Sequence, residues 1–219
     1  MLVAKGIYKS YGTLPILKGI DLEIKKQEVV SIVGASGAGK TTLLQILGTL
    51  DKPDQGEVLI NGENTVKLKG NQLAKFRNNE LGFIFQFHQL LPEFSAIENT
   101  ILPALLGNRS KTASLKKAQE LLEYLGMGSR LHHKPSELSG GEQQRVAVAR
   151  SLINDPSIIF ADEPSGNLDS ANSRELHELF FKLKDEMQQT FVIVTHNREL
   201  AAMSDRVLEM RDGLIVSAE

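Results

Sequence analysis

Cysteine is absent from this 219-residue chain, which removes disulfides and thiol chemistry together and fits a reducing compartment. Long apolar runs are missing too. No stretch approaches the roughly 18 residues that a membrane-spanning helix needs, and Met1-Leu2-Val3-Ala4-Lys5-Gly6 has no signal-peptide core. Any membrane role is therefore expected to come through a partner. Neither sign of charge is in excess: 25 Lys and Arg stand against 27 Asp and Glu, a formal net of -2. That balance calls for no nucleic acid, although it leaves room for a local basic patch. Internal repeats and low-complexity linkers are lacking as well. The 41% of hydrophobic residues suffices for one sizeable domain with space for an inserted lobe.

What stands out in the remainder is Gly34-Ala35-Ser36-Gly37-Ala38-Gly39-Lys40-Thr41, preceded by the apolar run Val29 to Val33 and followed by Thr42-Leu43-Leu44-Gln45-Ile46-Leu47. It fits the phosphate-loop pattern G-x-x-x-x-G-K-[ST] in the required strand, turn and helix setting. Glycines allow positive φ and close backbone approach, so successive amides can point at polyphosphate oxygens. The new helix adds unpaired N–H groups and the positive end of its dipole. Lys40 can reach the β and γ phosphates, and the Thr41 hydroxyl can take one position on a bound magnesium ion. A glycine-rich turn whose lysine faces water is the alternative, and the coincidence of strand, pattern and helix argues against it. The loop specifies a nucleotide without saying what its hydrolysis drives.

The rest of the chain reads as α/β. Short strands are expected from Leu2 to Tyr8 and from Leu17 to Ile24, with a break at Tyr11-Gly12-Thr13. Ile20, Leu22 and Ile24 alternate with Asp21 and Glu23, the period of a strand with one wet face. Val29 to Val33 loses that alternation, as a strand covered on both sides does. Val58 to Ile60 reads as a hairpin arm, and Leu81 to Gln86 as a second buried strand. Polar residues dominate between them. From Phe87 to Asp155 the pattern turns helical: Ile97 to Leu106 is interrupted by Pro103, and Ser114 to Leu125 puts Leu115, Ala118, Leu122 and Leu125 on one face, with Gly126 as its cap. Ser139 and Glu142 have capping-box spacing ahead of Val146, Ala149 and Ile153. Strands follow at Ser157 to Ala161, Phe191 to Val194, Val207 to Met210 and Leu214 to Val216, with a helix from about Ala171 to Met187. The expected layout is a sheet core at about 1–86 and 156–219 with a helical subdomain at about 87–155.

Other groups can complete a nucleotide site. Ile158 to Glu163 is an apolar strand ending in two carboxylates. Asp162 is suited to orient magnesium through its water shell and Glu163 to accept a proton from an attacking water. Gln86 ends one strand and His196 follows another. In an open parallel sheet these ends line the ligand crevice, where Gln86 can meet magnesium or the attacking water and His196 the γ phosphate. Taken singly, each has a plainer reading as a surface amide or a capping residue. Leu138-Ser139-Gly140-Gly141-Glu142-Gln143 is a second glycine-containing helix start, able to bind an anion or simply to cap a helix.

In this order, Gly34 to Thr41, Gln86, Leu138 to Gln143, Ile158 to Glu163, Ser165-Gly166-Asn167-Leu168-Asp169 and His196 resemble the ATP-binding subunit of an ABC transporter over essentially the whole chain. The resemblance implies a P-loop NTPase fold with a RecA-like central sheet, an antiparallel β subdomain and an inserted helical subdomain. It implies ATP and magnesium as ligands and a head-to-tail pair of ATPase subunits, a homodimer in the simplest case. Leu138 to Gln143 would then act in trans, with Ser139, Gly140 and Gly141 contacting the γ phosphate held by the other subunit's Lys40. Asp169 would lie across that interface and Tyr11 would stack on adenine. Asp162 would be the magnesium-side acid, Glu163 the general base and His196 the γ-phosphate switch. Phe85 to Phe94 and Ala161 to Asp169 are similar to the lipoprotein-releasing branch, whose siblings serve macrolide-type efflux and cell division. That implies two transmembrane permease subunits, no nucleic acid, and a peripheral place on the cytoplasmic face of an inner membrane. The segment from Phe87 to about Leu106 would help form the groove that receives a coupling helix of the permease. Efflux, a cell-division complex and a nucleotide-dependent adaptor are the open alternatives. Ala35, Ala38, Thr41 and Ser165 depart from the commoner family residues without removing a required charge.

Overall fold

The computed structural model describes residues 1–218. Its first half comprises β1 (Leu2–Tyr11), β2 (Leu14–Ile24), β3 (Val29–Val33), α1 (Lys40–Leu47), β4 (Gln55–Ile60), β5 (Glu63–Asn64), α2 (Gly70–Glu80), β6 (Leu81–Phe85) and α3 (Ala96–Leu106). The second half comprises α4 (Lys111–Tyr124), α5 (Gly140–Leu152), β7 (Ile158–Asp162), α6 (Ser170–Met187), β8 (Phe191–Val194), α7 (Arg198–Met203), β9 (Arg206–Arg211) and β10 (Leu214–Ala218). The chain divides into two compact units: Met1–Ala74 together with the chain from Phe181 onward, and Lys75–Phe180.

In the first unit an antiparallel sheet runs in the order β2-β1-β4-β5. Ile20, Leu22 and Ile24 turn inward while Asp21 and Glu23 are exposed, as the alternation of β2 predicts. β3 lies parallel to both β8 and β9. Val29, Val30, Ser31 and Ile32 are consequently buried, and a strand without a wet face has no reason to alternate. β10 folds back antiparallel on β9. α1 buries Leu43, Leu44, Ile46 and Leu47, each contributing about 1.5–3 kcal/mol on leaving water.

In the second unit β6 and β7 pair in parallel, from Leu81 opposite Ile158 to Phe85 opposite Asp162. α3, α4 and α5 pack on one another, and α5 also packs on β6. α5 buries Val146, Ala147, Val148, Ala149 and Leu152. Among the described residues no helix is long and apolar enough to cross a membrane.

Three details differ from the sequence expectation. α2 was unforeseen because it buries no residue, so apolar periodicity carries no sign of it. α3 runs unbroken through Pro103, which the sequence marks as an interruption. The proline removes one donor only, the helix ends a turn later with Gly107 N–H donating to the Pro103 carbonyl at 3.0 Å, and packing on α4 and α5 sustains the rest. On α4 the inward face is Ser114, Ala118, Leu121 and Leu122, while Leu115 is only half-buried.

Candidate functional site

The phosphate loop joins β3 to α1. Gly34 leaves the strand at φ 148°, and a Cβ there would stand 2.2 Å from the carbonyl oxygen of Met210 on β9. Only glycine can pass this point. Gly39 caps α1 in the left-handed region, at φ 99°. The Lys40 ammonium folds back over the loop it closes, donating to the carbonyls of Gly34 and Ala35 at 2.9 and 3.0 Å. Ala35, Ser36, Gly37 and Thr41 are exposed, Thr42 is half-buried and Ala38 is buried. An exposed turn of backbone amides at a helix start suits a polyphosphate.

Two further residues of the first unit belong with this loop. Ile32 lies opposite Val194 in the parallel β3–β8 pair, and Thr195 N–H donates to the Ile32 carbonyl at 3.2 Å. The phosphate loop and His196 therefore leave the same edge, and His196 is exposed there. Tyr11, at the end of β1, is 51% exposed and fixed from two sides. Its hydroxyl donates to Asp51 Oδ2 at 2.9 Å, and the Lys9 ammonium stands over its ring, 5.3 Å from the centroid. Lys9 also donates to Asp51 Oδ1 and the Lys52 carbonyl at 3.0 and 2.7 Å. The hydrogen bond to Asp51, with burial and the carboxylate charge, raises the Tyr11 hydroxyl above its ordinary value. Burial pushes the Asp51 carboxyl up, but the bonds from Lys9, the Lys52 N–H and Tyr11 outweigh it and hold the group below the usual range.

The second unit carries the remaining residues. Because Phe85 pairs with Asp162, Gln86 and Glu163 follow at neighbouring strand ends. Glu163 adopts φ 46°, a left-handed conformation that an L-residue holds only when its surroundings over-determine it. Gln144, fully buried on α5, donates to the Pro164 carbonyl at 2.7 Å and the Phe85 carbonyl at 3.5 Å, tying the two strand exits together. Gln86 and Asn167 hold each other through two bonds of 3.1 Å.

At the start of α5 the capping box is complete. Ser139 N–H donates to Glu142 Oε2 at 2.8 Å, and Glu142 N–H donates to Ser139 Oγ at 3.3 Å. The Ser139 N–H bond, ahead of the Arg130 contacts, holds the Glu142 carboxyl below its ordinary range despite some burial. Gln143 donates to the carbonyls of Pro135 and Leu138 at 3.0 and 3.1 Å. Glu142 and Gln143 thus shape the helix start, Leu138 is buried, and Ser139 and Gly140 face outward. Asn172 reaches this region from α6, binding both Asp169 oxygens at 2.9 and 2.7 Å. The Asn172 N–H and amide together lower the Asp169 carboxyl. Gln144, Asn167 and Asn172 have no assigned role in the sequence reading: Gln144 and Asn167 act on partners distant in the chain, whereas Asn172 bonds Asp169 only three residues away. Capping spacing alone could have pointed to Asn172.

The ABC transporter family profile matches residues 17–166, and the chain belongs to that family. Among its relatives, the lipoprotein-releasing system ATP-binding protein LolD of Cytophaga hutchinsonii is 59% identical over 216 residues, covering 99% of each chain. The protein of the same name from Porphyromonas gingivalis is 58% identical over 217 residues, again covering 99% of each. Among solved structures, a dimeric post-hydrolysis state of an ATP-binding cassette bound to ADP and Pi is 40% identical with a TM-score of 0.91, covering 100% of this chain and 98% of the other. A dimeric bacterial ABC transporter cassette is 41% identical with the same TM-score and coverage. The α/β fold with its phosphate loop is that of the ABC ATPases.

Proposed function

We propose that this chain is the ATP-binding and ATP-hydrolysing subunit of an ABC transporter that releases lipoproteins from an inner membrane. It works on the cytoplasmic face as a peripheral subunit, paired with a second ATPase subunit and joined to two transmembrane permease subunits. The observation that carries this reading is the 58–59% identity, over nearly the full length, to relatives named for lipoprotein release. The phosphate loop leaving β3 supports its nucleotide half.

In this reading Tyr11 stacks on adenine, and the backbone from Gly34 to Thr42 surrounds the phosphates. Lys40 exchanges its two loop carbonyls for β- and γ-phosphate oxygens, so the loop is already shaped around a positive charge. The Thr41 hydroxyl, the Gln86 amide oxygen and, through water, Asp162 are oxygen donors of the type a hard cation takes. The pairing of Phe85 with Asp162, which sets Gln86 beside the acid pair, fits magnesium. When bound, magnesium neutralises charge on the phosphate oxygens. Glu163 takes a proton from the attacking water, and His196 hydrogen-bonds the γ phosphate. Ser139, Gly140 and Gly141 of the second copy, set in the segment Leu138 to Gln143, close on that phosphate from the other side. Asp169 lies at the subunit interface. Charge developing on the γ phosphate is thus met by fixed donors that need no rearrangement during the reaction.

The test is reconstitution with the co-expressed permeases and a lipoprotein in proteoliposomes. Release that depends on ATP and magnesium is expected. Turnover coupled to drug efflux, or assembly with a division-type membrane partner, would overturn the cargo. Nucleotide binding without turnover in any assembly would make the chain an adaptor.

A further inference from the structure

We infer that Asn167 is a positioning residue that sets which atom of the Gln86 amide faces magnesium. The inference rests on the magnesium-ATP reading above. The Asn167 Nδ2 donates to the backbone carbonyl of Gln86 at 3.1 Å. A carbonyl oxygen only accepts, so this bond decides the orientation of the Asn167 amide and turns its Oδ1 toward the Gln86 side chain. Oδ1 in turn accepts from Gln86 Nε2 at 3.1 Å. The Gln86 nitrogen is thereby committed to Asn167, and its oxygen is the atom left for a cation. A glutamine turned the other way would offer magnesium an N–H group, which cannot ligate it.

The surroundings make this pairing specific. The loop after β7 closes by Gly166 N–H donating to the Glu163 carbonyl at 3.0 Å and Leu168 N–H to the Ser165 carbonyl at 3.1 Å, which displays Asn167. A Cβ at Gly166 would stand 2.8 Å from Gln86 Nε2, 3.2 Å from its Cδ and 3.4 Å from its Cγ. The turn therefore closes against the length of the glutamine. Buried Gln144 fixes the spacing of the two backbone segments through the Phe85 and Pro164 carbonyls. Asp169 follows two residues after Asn167, so the segment that holds Gln86 is continuous with the residue read above as lying at the subunit interface.

The experiment compares the full chain with Asn167→Ala, Asn167→Asp, Gln86→Ala and the double variant Gln86→Ala with Asn167→Ala. In the nucleotide-free protein, NMR of the Gln86 side-chain amide is expected to show slowed hydrogen exchange that Asn167→Ala abolishes, whereas Asn167→Asp, which loses only the donor to the Gln86 carbonyl and still accepts from Nε2, retains part of it. With ATP present, the magnesium concentration for half-maximal turnover should rise about five- to tenfold in Asn167→Ala, as the loss of two amide hydrogen bonds implies. ATP binding in EDTA should stay unchanged. In the Gln86→Ala background Asn167→Ala should add nothing, because a residue acting through Gln86 has nothing left to act on. An equal loss in both backgrounds, an unaltered magnesium dependence, or a Gln86 amide that exchanges as fast in the parent as in the variants would overturn the inference. If the parent itself turned over no ATP, the enzymatic reading would fail, and the amide exchange would report on the pair separately.

Discussion

Asn172 lies against Gly141: a methyl group on Gly141 would stand 2.5 Å from the Asn172 side-chain oxygen. The nitrogen of the same amide donates to Asp169 Oδ2 at 2.7 Å. One side chain thus connects the first turn of α5 to the acid that opens α6. Gly141→Ala is expected to displace Asn172 and release Asp169, lowering ATP turnover by about tenfold, or about 1.4 kcal/mol of barrier. Steady-state turnover beside a thermal melt checks it. A variant that melts like the parent and turns over ATP at the parent rate would show that the contact has no bearing on catalysis.

Glu163 ends the strand pair at a left-handed backbone position, beside Asp162 and Gln86. With Glu163 as the general base of the proposed reading, Glu163→Gln keeps the shape and removes proton acceptance. Turnover should fall by about 10²- to 10⁴-fold, while ATP still binds and, by light scattering, holds two copies together. Unchanged turnover would place the base elsewhere.

With Tyr11 stacking on adenine, as proposed, the Lys9, Tyr11 and Asp51 cluster predicts a graded series. Tyr11→Phe keeps the stacking face and loses only the Asp51 bond, so the KM for ATP should change by less than about twofold. Tyr11→Ala loses the face and should raise KM by about five- to a hundredfold, the range of one base–aromatic stack. Lys9→Met should fall between them, with kcat unchanged in all three. Titration with a fluorescent ATP analogue separates binding from turnover. A Tyr11→Ala variant that binds ATP as the parent does would remove Tyr11 from the site.

His88 provides a pH signature. Burial, and next the Arg150 guanidinium, hold its pKa below the ordinary histidine value, and its Nε2 is buried without a hydrogen-bond partner. Arg150 donates to the carbonyls of His88 and Gln89 at 2.6 Å each. A folded-state pKa below the unfolded one means that the fold disfavours protonation. The stability contribution is complete above about pH 6.5 and is lost as pH falls through the lower folded value. The denaturation midpoint should therefore fall more steeply as pH drops below about 6.5 in the parent than in His88→Gln. Parallel curves for the two proteins would contradict the assignment.

The local elements that carry the candidate site are legible in the sequence because each is settled over a few consecutive residues. The phosphate loop needs a strand, a run of small residues and a helix in immediate succession, and the box at Ser139 and Glu142 closes within one helical turn. The two carboxylates after Ile158 to Ala161 declare themselves as the end of a buried strand. Elements without an apolar stripe, such as α2, left no trace, and the single proline in α3 suggested a break that packing overrides.

By itself, the sequence determined the nucleotide chemistry and the position of most strands along the chain, since side-chain alternation and phosphate recognition are settled over a few consecutive residues. Only the tertiary structure decided that Gln86 faces Asn167, that Asn172 fills the space a side chain at Gly141 would need, and that Met210 forbids any side chain at Gly34. Each of these depends on segments far apart in the chain meeting in one register, and that register comes from packing whole strands and helices together.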